Sequence, residues 1–325
     1  MRAWLSVYLK GAFMGVAEGI PGVSGGTIAL ITGIYERLVG AVAAFDPRVL
    51  PDLPRAYDPD ARGRIVAVLR EMDVAFLAVL LAGMFTTLIA VTGVIESLSE
   101  SSPALLYAFF FGLIAASAVV LWSEFRVDTT AEKAVAVVGF LVAFLLAGAS
   151  EGGSSVPHAP LLLFAVGALV ISAMVLPGVS GSFLLLLLGQ YEFMIGALHD
   201  FLGAAVETVR GGPFDALLAP GVSVVSFSAG AAVGVLTFAR VVEWALANHR
   251  QVTLTFLVAL MVGSLRLPVE RVVGADGAWP VARASAVLLA GAVGAAGVLL
   301  MDRYTDDLEY GPEGGSEPTP TARTD

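Results

Sequence analysis

Pro21-Gly-Val-Ser-Gly25 interrupts an apolar stretch, residues 11–42, near its middle. The same five residues recur at positions 177–181, in the middle of a second apolar stretch, residues 167–198. At a fixed offset of 156 the two stretches share 14 of 32 residues without a gap. The chain therefore contains an internal duplication.

The repeated motif predicts a break in a membrane helix. Proline lacks a backbone N–H, and glycine permits the backbone angles of a sharp turn. A straight helix of 32 residues would be about 48 Å long, which exceeds a hydrocarbon core of roughly 30 Å. A hairpin folded at each motif fits better. The alternative is a kink at which glycine and serine let helices pack closely.

The composition indicates an α-helical membrane protein. Hydrophobic residues make up 57% of the chain and charged residues 14%, whereas soluble domains are about 25% charged. The fold class predicted is all-α and polytopic, with each repeat formed by a re-entrant hairpin and three transmembrane helices. The predicted helices cover residues 74–95, 104–122, 134–149, 221–247, 252–267 and 280–301.

The duplication also predicts the domain organisation. Repeat one covers residues 1–149, repeat two covers residues 150–301, and residues 302–325 form a disordered acidic tail. A hairpin that returns to its own side, followed by three crossings, inverts the second repeat. Arginine and lysine placement then favours cytoplasmic N- and C-termini in the plasma membrane. An eight-crossing arrangement with the N-terminus outside is the alternative.

Each broken helix offers groups that can bind an anion. The leg that restarts after the break presents unpaired N–H groups and the positive end of its dipole. Paired discontinuous helices in two halves indicate a transporter's midplane site. The predicted substrate-binding residues are Gly22, Ser24, Gly25, Gly26, Thr27, Arg37, Gly178, Ser180, Gly181 and Ser182.

Ionisable residues near the breaks are candidates for coupling and gating. Glu18 lies within an apolar leg, where a carboxyl group suggests function, and its counterpart in repeat two is Met174. The other candidates sit at the ends of both hairpins, either as interfacial anchors or as a gate and proton carrier. They are Tyr35, Glu36, Tyr191 and Glu192.

The sequence argues against several other classes. The acidic tail disfavours nucleic-acid binding, and neither a cofactor nor a metal site is expected. Gly22-Val-Ser24-Gly-Gly26 matches the nucleophile elbow of hydrolases, but that motif requires an α/β sheet. A rhomboid-like intramembrane hydrolase needs a histidine base, and all three histidines lie in loops or at helix ends. An enzyme is therefore not expected.

The two motifs resemble the signatures of the polyprenyl-phosphate transporter family, the PopT-type undecaprenyl phosphate translocases. The resemblance rests on residues 15–27 with Gly33-Ile-Tyr-Glu36, and on residues 176–182 with Gly189-Gln-Tyr-Glu192. One departure is Glu18, where many relatives are expected to have aspartate.

The resemblance implies a carrier that returns polyprenyl phosphate from the outer to the cytoplasmic leaflet, with protons as a candidate coupling ion. The lipid would be undecaprenyl phosphate in a bacterium and a dolichyl-type phosphate in an archaeon. Membrane lipids are the other expected partners. An anion channel or small-anion transporter is the main alternative, because the same helix starts would suit chloride or free phosphate.

Overall fold

The computed structural model describes residues 2–18, 24–149, 157–274 and 280–309. These ranges form α-helices joined by short turns, and the 3-10 helices Pro47–Arg55, Leu121–Glu124 and Phe214–Leu217. The α-helices are α1 (Arg2–Glu18), α2 (Gly25–Ile31), α3 (Tyr35–Ala43), α4 (Pro59–Glu71), α5 (Val74–Ser101), α6 (Pro103–Val120), α7 (Thr130–Ala147), α8 (Pro160–Met174), α9 (Gly181–Leu187), α10 (Tyr191–Val209), α11 (Leu218–Ser264), α12 (Arg266–Val273) and α13 (Val281–Glu309). The all-α prediction is confirmed.

Five helical stretches in the described ranges are long and apolar enough to cross a membrane, or up to seven if each bent helix pair counts as one. The longest helix, α11, has 47 residues, about 70 Å at 1.5 Å per residue. It bends at His249, whose φ of −140° and ψ of 43° are not helical. Together with α12, which follows it directly, α11 is therefore long enough for two crossings of a core of roughly 30 Å.

The structure corrects one prediction, which concerns the connection between the helices predicted at residues 221–247 and 252–267. A polar loop was expected between them, but helical structure continues through residues 248–251 apart from the bend. Arginine and glutamine, which occupy two of these four positions, are good helix formers. The two helical parts of α11 are thus joined by a kink at His249 and not by a loop.

Both predicted hairpins fold back on themselves. In the first, Lys10 Nζ on α1 donates a hydrogen bond of 2.7 Å to the carbonyl of Thr32, which follows α2. In the second, His158, just before α8, places Nδ1 at 2.9 Å from Oε1 of Gln190, which follows α9. In each case the incoming helix, or the residues just before it, lies beside the end of the first returning helix, so the re-entrant geometry is confirmed.

The returning leg of each hairpin contains a further bend, which was not predicted from the sequence. The chain bends by 118° between α2 and α3 and by 108° between α9 and α10. The turns are made by Gly33 and Gly189, with φ of 69° and 63°. Only glycine adopts such angles without strain. Each leg that was predicted as one helix is therefore two.

Small residues let the helices approach closely, in the same way in both halves. A Cβ at Gly83 of α5 would overlap the carbonyl oxygen of Tyr8 on α1, and a Cβ at Gly230 of α11 would overlap that of Phe164 on α8. Phe164 is the counterpart of Tyr8 at the repeat offset of 156. The packing supports the duplication, while inversion of the second repeat stays a prediction.

The relative direction of α1 and α5 agrees with a hairpin that returns to its own side. Gly11 approaches the backbone of Leu80, and Gly15 approaches that of Met84. Positions advance together along both helices, so α1 and α5 run parallel. If residues 11–42 made a single crossing, α5 would start on the opposite side of the membrane from α1, and the two helices would be antiparallel.

The C-terminal helix is longer than expected. α13 continues past residue 301 to Glu309, so the first part of the predicted tail is helical. Residues 310–325, on which the remaining prediction of disorder depends, lie outside the described residues.

Candidate functional site

The first break is followed by a capped helix start. Ser24 has extended backbone angles and is the N-cap of α2. Its hydroxyl oxygen accepts a hydrogen bond of 3.2 Å from the N–H of Gly26, as N-cap serines do. Gly22, one of the predicted binding residues, lies outside the described residues.

Glu18 reaches the start of the same helix from the end of α1. Its Oε1 accepts a hydrogen bond of 2.8 Å from the N–H of Gly25. A carboxylate here satisfies one of the donors that a helix start leaves unpaired. The first turn, the break at residues 21–25, thus already binds a carboxyl group of the protein itself.

The second turn, the break at residues 177–181, is followed by a similar cap but has no carboxyl group beside it among the described contacts. Ser180 is the N-cap of α9, and its hydroxyl lies 3.0 Å from that of Ser182. Met174, the counterpart of Glu18, lies against Gly181, where a Cβ would overlap its side chain. The two turns occupy equivalent positions, but a carboxyl group contacts the first, and the thioether of Met174 packs against the second.

The two turns touch each other through hydroxyl groups of repeat one. The N–H of Gly178 donates to Thr27 Oγ1 at 2.9 Å. Tyr35 donates from its phenol to the carbonyl of Val175 at 3.0 Å. Ser24 donates to the carbonyl of Leu176 at 3.4 Å.

These hydroxyls bond backbone groups within the broken segment between α8 and α9. Unpaired backbone groups are costly away from water. Contact between the halves therefore stabilises the break, and it gives Tyr35 and the Ser24 hydroxyl structural partners.

A small cavity adjoins the second turn. It has a volume of about 20 Å³ and is bounded by α7, the second turn with α9, and the end of α11, with Gly178, Ser180 and Ser264 among its lining residues. A space of this size holds roughly one water molecule. A phosphate group would need the turns to move apart.

Other predicted residues lie away from the turns. Arg37 pairs with Asp73 at the start of α5 and stacks over Phe76. Glu36 pairs with Arg250 beside the bend of α11 at 3.1 Å. Within the described contacts these charges link α3 to α5 and α11, and Arg37 is not brought to either turn.

The corresponding residues of repeat two are at the start of α10. Tyr191 is half-buried there and Glu192 is exposed. The described contacts give neither of them a place at the turns. Of the four residues predicted to form a gate, only Tyr35 therefore lies at the contact between the turns in the described part of the chain. The other three, Glu36, Tyr191 and Glu192, lie near helix ends.

Sequence interpretation missed several buried polar residues. Lys10 is buried on α1, and its signal was available, because it is one of only two lysines and lies beside an apolar run. Ser264 and Gln190 are also buried, but a single serine or glutamine at a helix end gives no distinct pattern. Within the described residues, acidic residues and histidines form no group that could hold a metal ion.

A helical chain with two facing broken helices is typical of multi-pass membrane transporters. Comparison with known proteins is more specific. Residues 14–274 match the family described as VCA0040-like, undecaprenyl phosphate translocase-like. The chain therefore belongs to the undecaprenyl phosphate translocase-like family.

Two similar relatives support this assignment. A polyprenyl-phosphate transporter of Vibrio cholerae serotype O1 is 35% identical over 262 residues, covering 81% of this chain and 76% of the relative. A polyprenyl-phosphate transporter of Staphylococcus aureus is 26% identical over 273 residues, covering 81% and 84%. No solved structure matches the chain.

Proposed function

We propose that this protein carries polyprenyl phosphate from the outer to the cytoplasmic leaflet of the plasma membrane by alternating access. Support comes from the family, from the names of both relatives, and above all from the contact of Thr27 with the backbone of Gly178. This contact joins the two broken helices at one place. Phosphate would bind there when the turns separate.

The phosphate is held, in this proposal, mainly by the second turn. Ser180 and Ser182 supply hydroxyl donors, and Ser264 lines the same cavity. The first turn is already occupied by the carboxylate of Glu18, which would repel a second anion. The observed arrangement then corresponds to a closed state without room for substrate.

Glu18 is the proposed proton carrier. Its carboxyl group is partly buried and accepts the N–H of Gly25 at the start of α2, and protonation would weaken this hydrogen bond. Release of this contact would loosen the start of α2, which carries the Ser24 and Thr27 hydroxyls that bond the second turn, and the two turns could then separate. Uptake of a proton and opening toward substrate are thereby linked.

A reconstituted assay tests the function. We expect purified protein in liposomes to accelerate movement of a fluorescent polyprenyl phosphate between leaflets. A short-chain polyprenyl phosphate should compete, and inorganic phosphate should compete much less, because it lacks the chain. Equal competition by inorganic phosphate, together with protein-dependent anion flux, would instead support the channel or small-anion transporter.

Replacement of two serines tests the site in the same assay. We expect Ser180→Ala with Ser182→Ala to slow transport at least about tenfold, because each hydrogen bond to a charged group is worth about 1.5–3 kcal/mol. Ser285→Ala is the matched control, since this exposed hydroxyl bonds only its own helix among the described contacts. Full activity of the double variant would show that the phosphate is not bound at the second turn.

A further inference from the structure

An apolar cavity lies beside the first hairpin. It has a volume of about 260 Å³ and lies between α1, α2, α6 and α13. Its lining atoms are almost all apolar, and the contributing residues include Ala17, Ile28, Phe110, Leu113 and Gly297. It thus adjoins α2, the helix that carries Ser24 and Thr27 at its start.

The small cavity at the second turn is the counterpart of this one. α6 and α13 meet where Gly112 approaches Gly291, and α11 and α7 meet in the same way where Gly263 approaches Phe140. Gly297 lies six residues after Gly291 on α13, and Leu146 lies six residues after Phe140 on α7. The two residues are therefore counterparts, and each lines its own cavity.

The two cavities have diverged in size and polarity. Glycine at position 297 leaves the space that leucine at position 146 takes up in the other half, and the volumes are about 260 and 20 Å³. Leu113 corresponds to Ser264, so the large cavity is apolar where the small one carries a hydroxyl. The two repeats therefore contain one large apolar cavity and one small cavity that is lined in part by serine hydroxyls.

The large cavity continues toward the connection between α5 and α6. A second apolar cavity, of about 530 Å³, shares Val16, Phe109 and Phe110 with it. This second cavity reaches Leu98 near the end of α5 and Leu105 near the start of α6. The two cavities are neighbours along the first hairpin and are together called the apolar path; their combined volume is typical of ligand pockets.

We propose that the isoprenoid chain of the carried lipid lies in this apolar path while its phosphate is held at the turns. The inference rests on the proposed function and adds the position of the chain. Two features of the apolar path favour an isoprenoid chain as its occupant. It begins at α2, next to the polar turns, and its lining offers no partner for a polar group. A molecule with one anionic end and one long hydrocarbon chain fits both parts at once.

Filling the cavity at Gly297 tests the proposal. A Cβ at this position meets no atom within 4 Å, so that a larger side chain can enter the cavity without displacing backbone. We expect Gly297→Leu to slow transport of long-chain polyprenyl phosphate at least about tenfold, since it displaces two or more buried methylenes of the chain. Gly297→Ala should have a smaller effect.

The control is Gly203→Leu. Gly203 is an exposed helix glycine on α10, also with no atom within 4 Å of a Cβ, and it does not line the path. Thermal unfolding of each purified variant checks that it folds. Normal long-chain transport by a folded Gly297→Leu protein would overturn the proposal but leave the proposed function intact. Absence of transport by the unsubstituted protein would overturn the function itself.

Photochemical labelling identifies the occupant directly. A polyprenyl phosphate with a diazirine in its chain should label α6 and α13 around Phe110 and Gly297, and unlabelled polyprenyl phosphate should prevent this. Labelling of the same residues by a diazirine phospholipid, with no competition by polyprenyl phosphate, would mean that ordinary membrane lipid fills the path. That result would contradict the proposal.

Discussion

At the scale of single residues, the two repeats differ most at Glu18 and Met174. Both side chains lie against the glycine that starts the returning helix, Gly25 or Gly181. The carboxylate binds the N–H of Gly25, whereas the thioether only fills space. The difference assigns charge to one turn, and it favours Glu18 over the exposed Glu192 as the coupling residue.

Replacement of this carboxyl group tests coupling. We expect Glu18→Gln to hold the N–H of Gly25 only weakly, as a protonated carboxyl group would, because its amide oxygen accepts a hydrogen bond but carries no charge. The variant also takes up no proton. Transport driven by a pH gradient should be lost, and exchange without a gradient should remain. Both are measured in liposomes with and without an imposed gradient.

Glu243→Gln is the control for this variant, since Glu243 is exposed on α11. Its response to the gradient should match that of the unsubstituted protein. If Glu18→Gln keeps the full response and Glu192→Gln loses it, the proton carrier is Glu192.

At the scale of helices, glycines decide which faces meet. Gly83 and Gly230 bring α5 against α1 and α11 against α8, with a neighbouring carbonyl in the place of a Cβ. Close backbone approach of this kind is a common basis of helix association in membranes. The same contact stabilises both halves.

Alanine at these glycines should separate the helices. We expect Gly83→Ala and Gly230→Ala each to lower the free energy of unfolding by about 1–3 kcal/mol, the usual cost of overpacking. Unfolding of purified protein in detergent measures the effect. Gly93→Ala on α5 is the control, because a Cβ there meets nothing within 4 Å, and alanine favours helix by up to about 1 kcal/mol. Equal stability of all three variants would contradict this packing.

At the scale of the whole molecule, inversion of the second repeat follows from two hairpins that each return to their own side. The parallel direction of α1 and α5 supports this for repeat one. The charged contacts of α3, at Asp73 and Arg250, gather near the helix ends that are expected to face the cytoplasm. α8 should then begin on the opposite side of the membrane from α1.

Single cysteines test the inversion without background, because the chain has no cysteine. We expect Trp4→Cys and Asp58→Cys to react with an impermeant maleimide only from the cytoplasmic side. Ala159→Cys and Asp215→Cys should react only from outside. All four positions are exposed. Labelling of Trp4→Cys and Ala159→Cys from the same side would refute the inverted arrangement.

Local sequence predicted the breaks and the hydrophobic helices, because these depend on the chemistry of nearby residues. Proline and glycine interrupt a helix wherever they occur together, and a long apolar run requires lipid or a core around it. The turns at Gly33 and Gly189 were also encoded locally, as glycines repeated at the offset of 156. They were missed because a lone glycine in an apolar run is compatible with helix as well as with a turn.

The sequence by itself determined the duplication, the membrane helices and the two broken hairpins, since these follow from periodicity, length and backbone chemistry. Only the tertiary structure decided that Thr27 would bind the backbone of Gly178, that Arg37 would pair with Asp73 instead of reaching a turn, and that Gly297 would border an apolar cavity. These relations join residues far apart in the chain, and their partners are fixed by how whole helices pack. No local pattern of residue types specifies such packing.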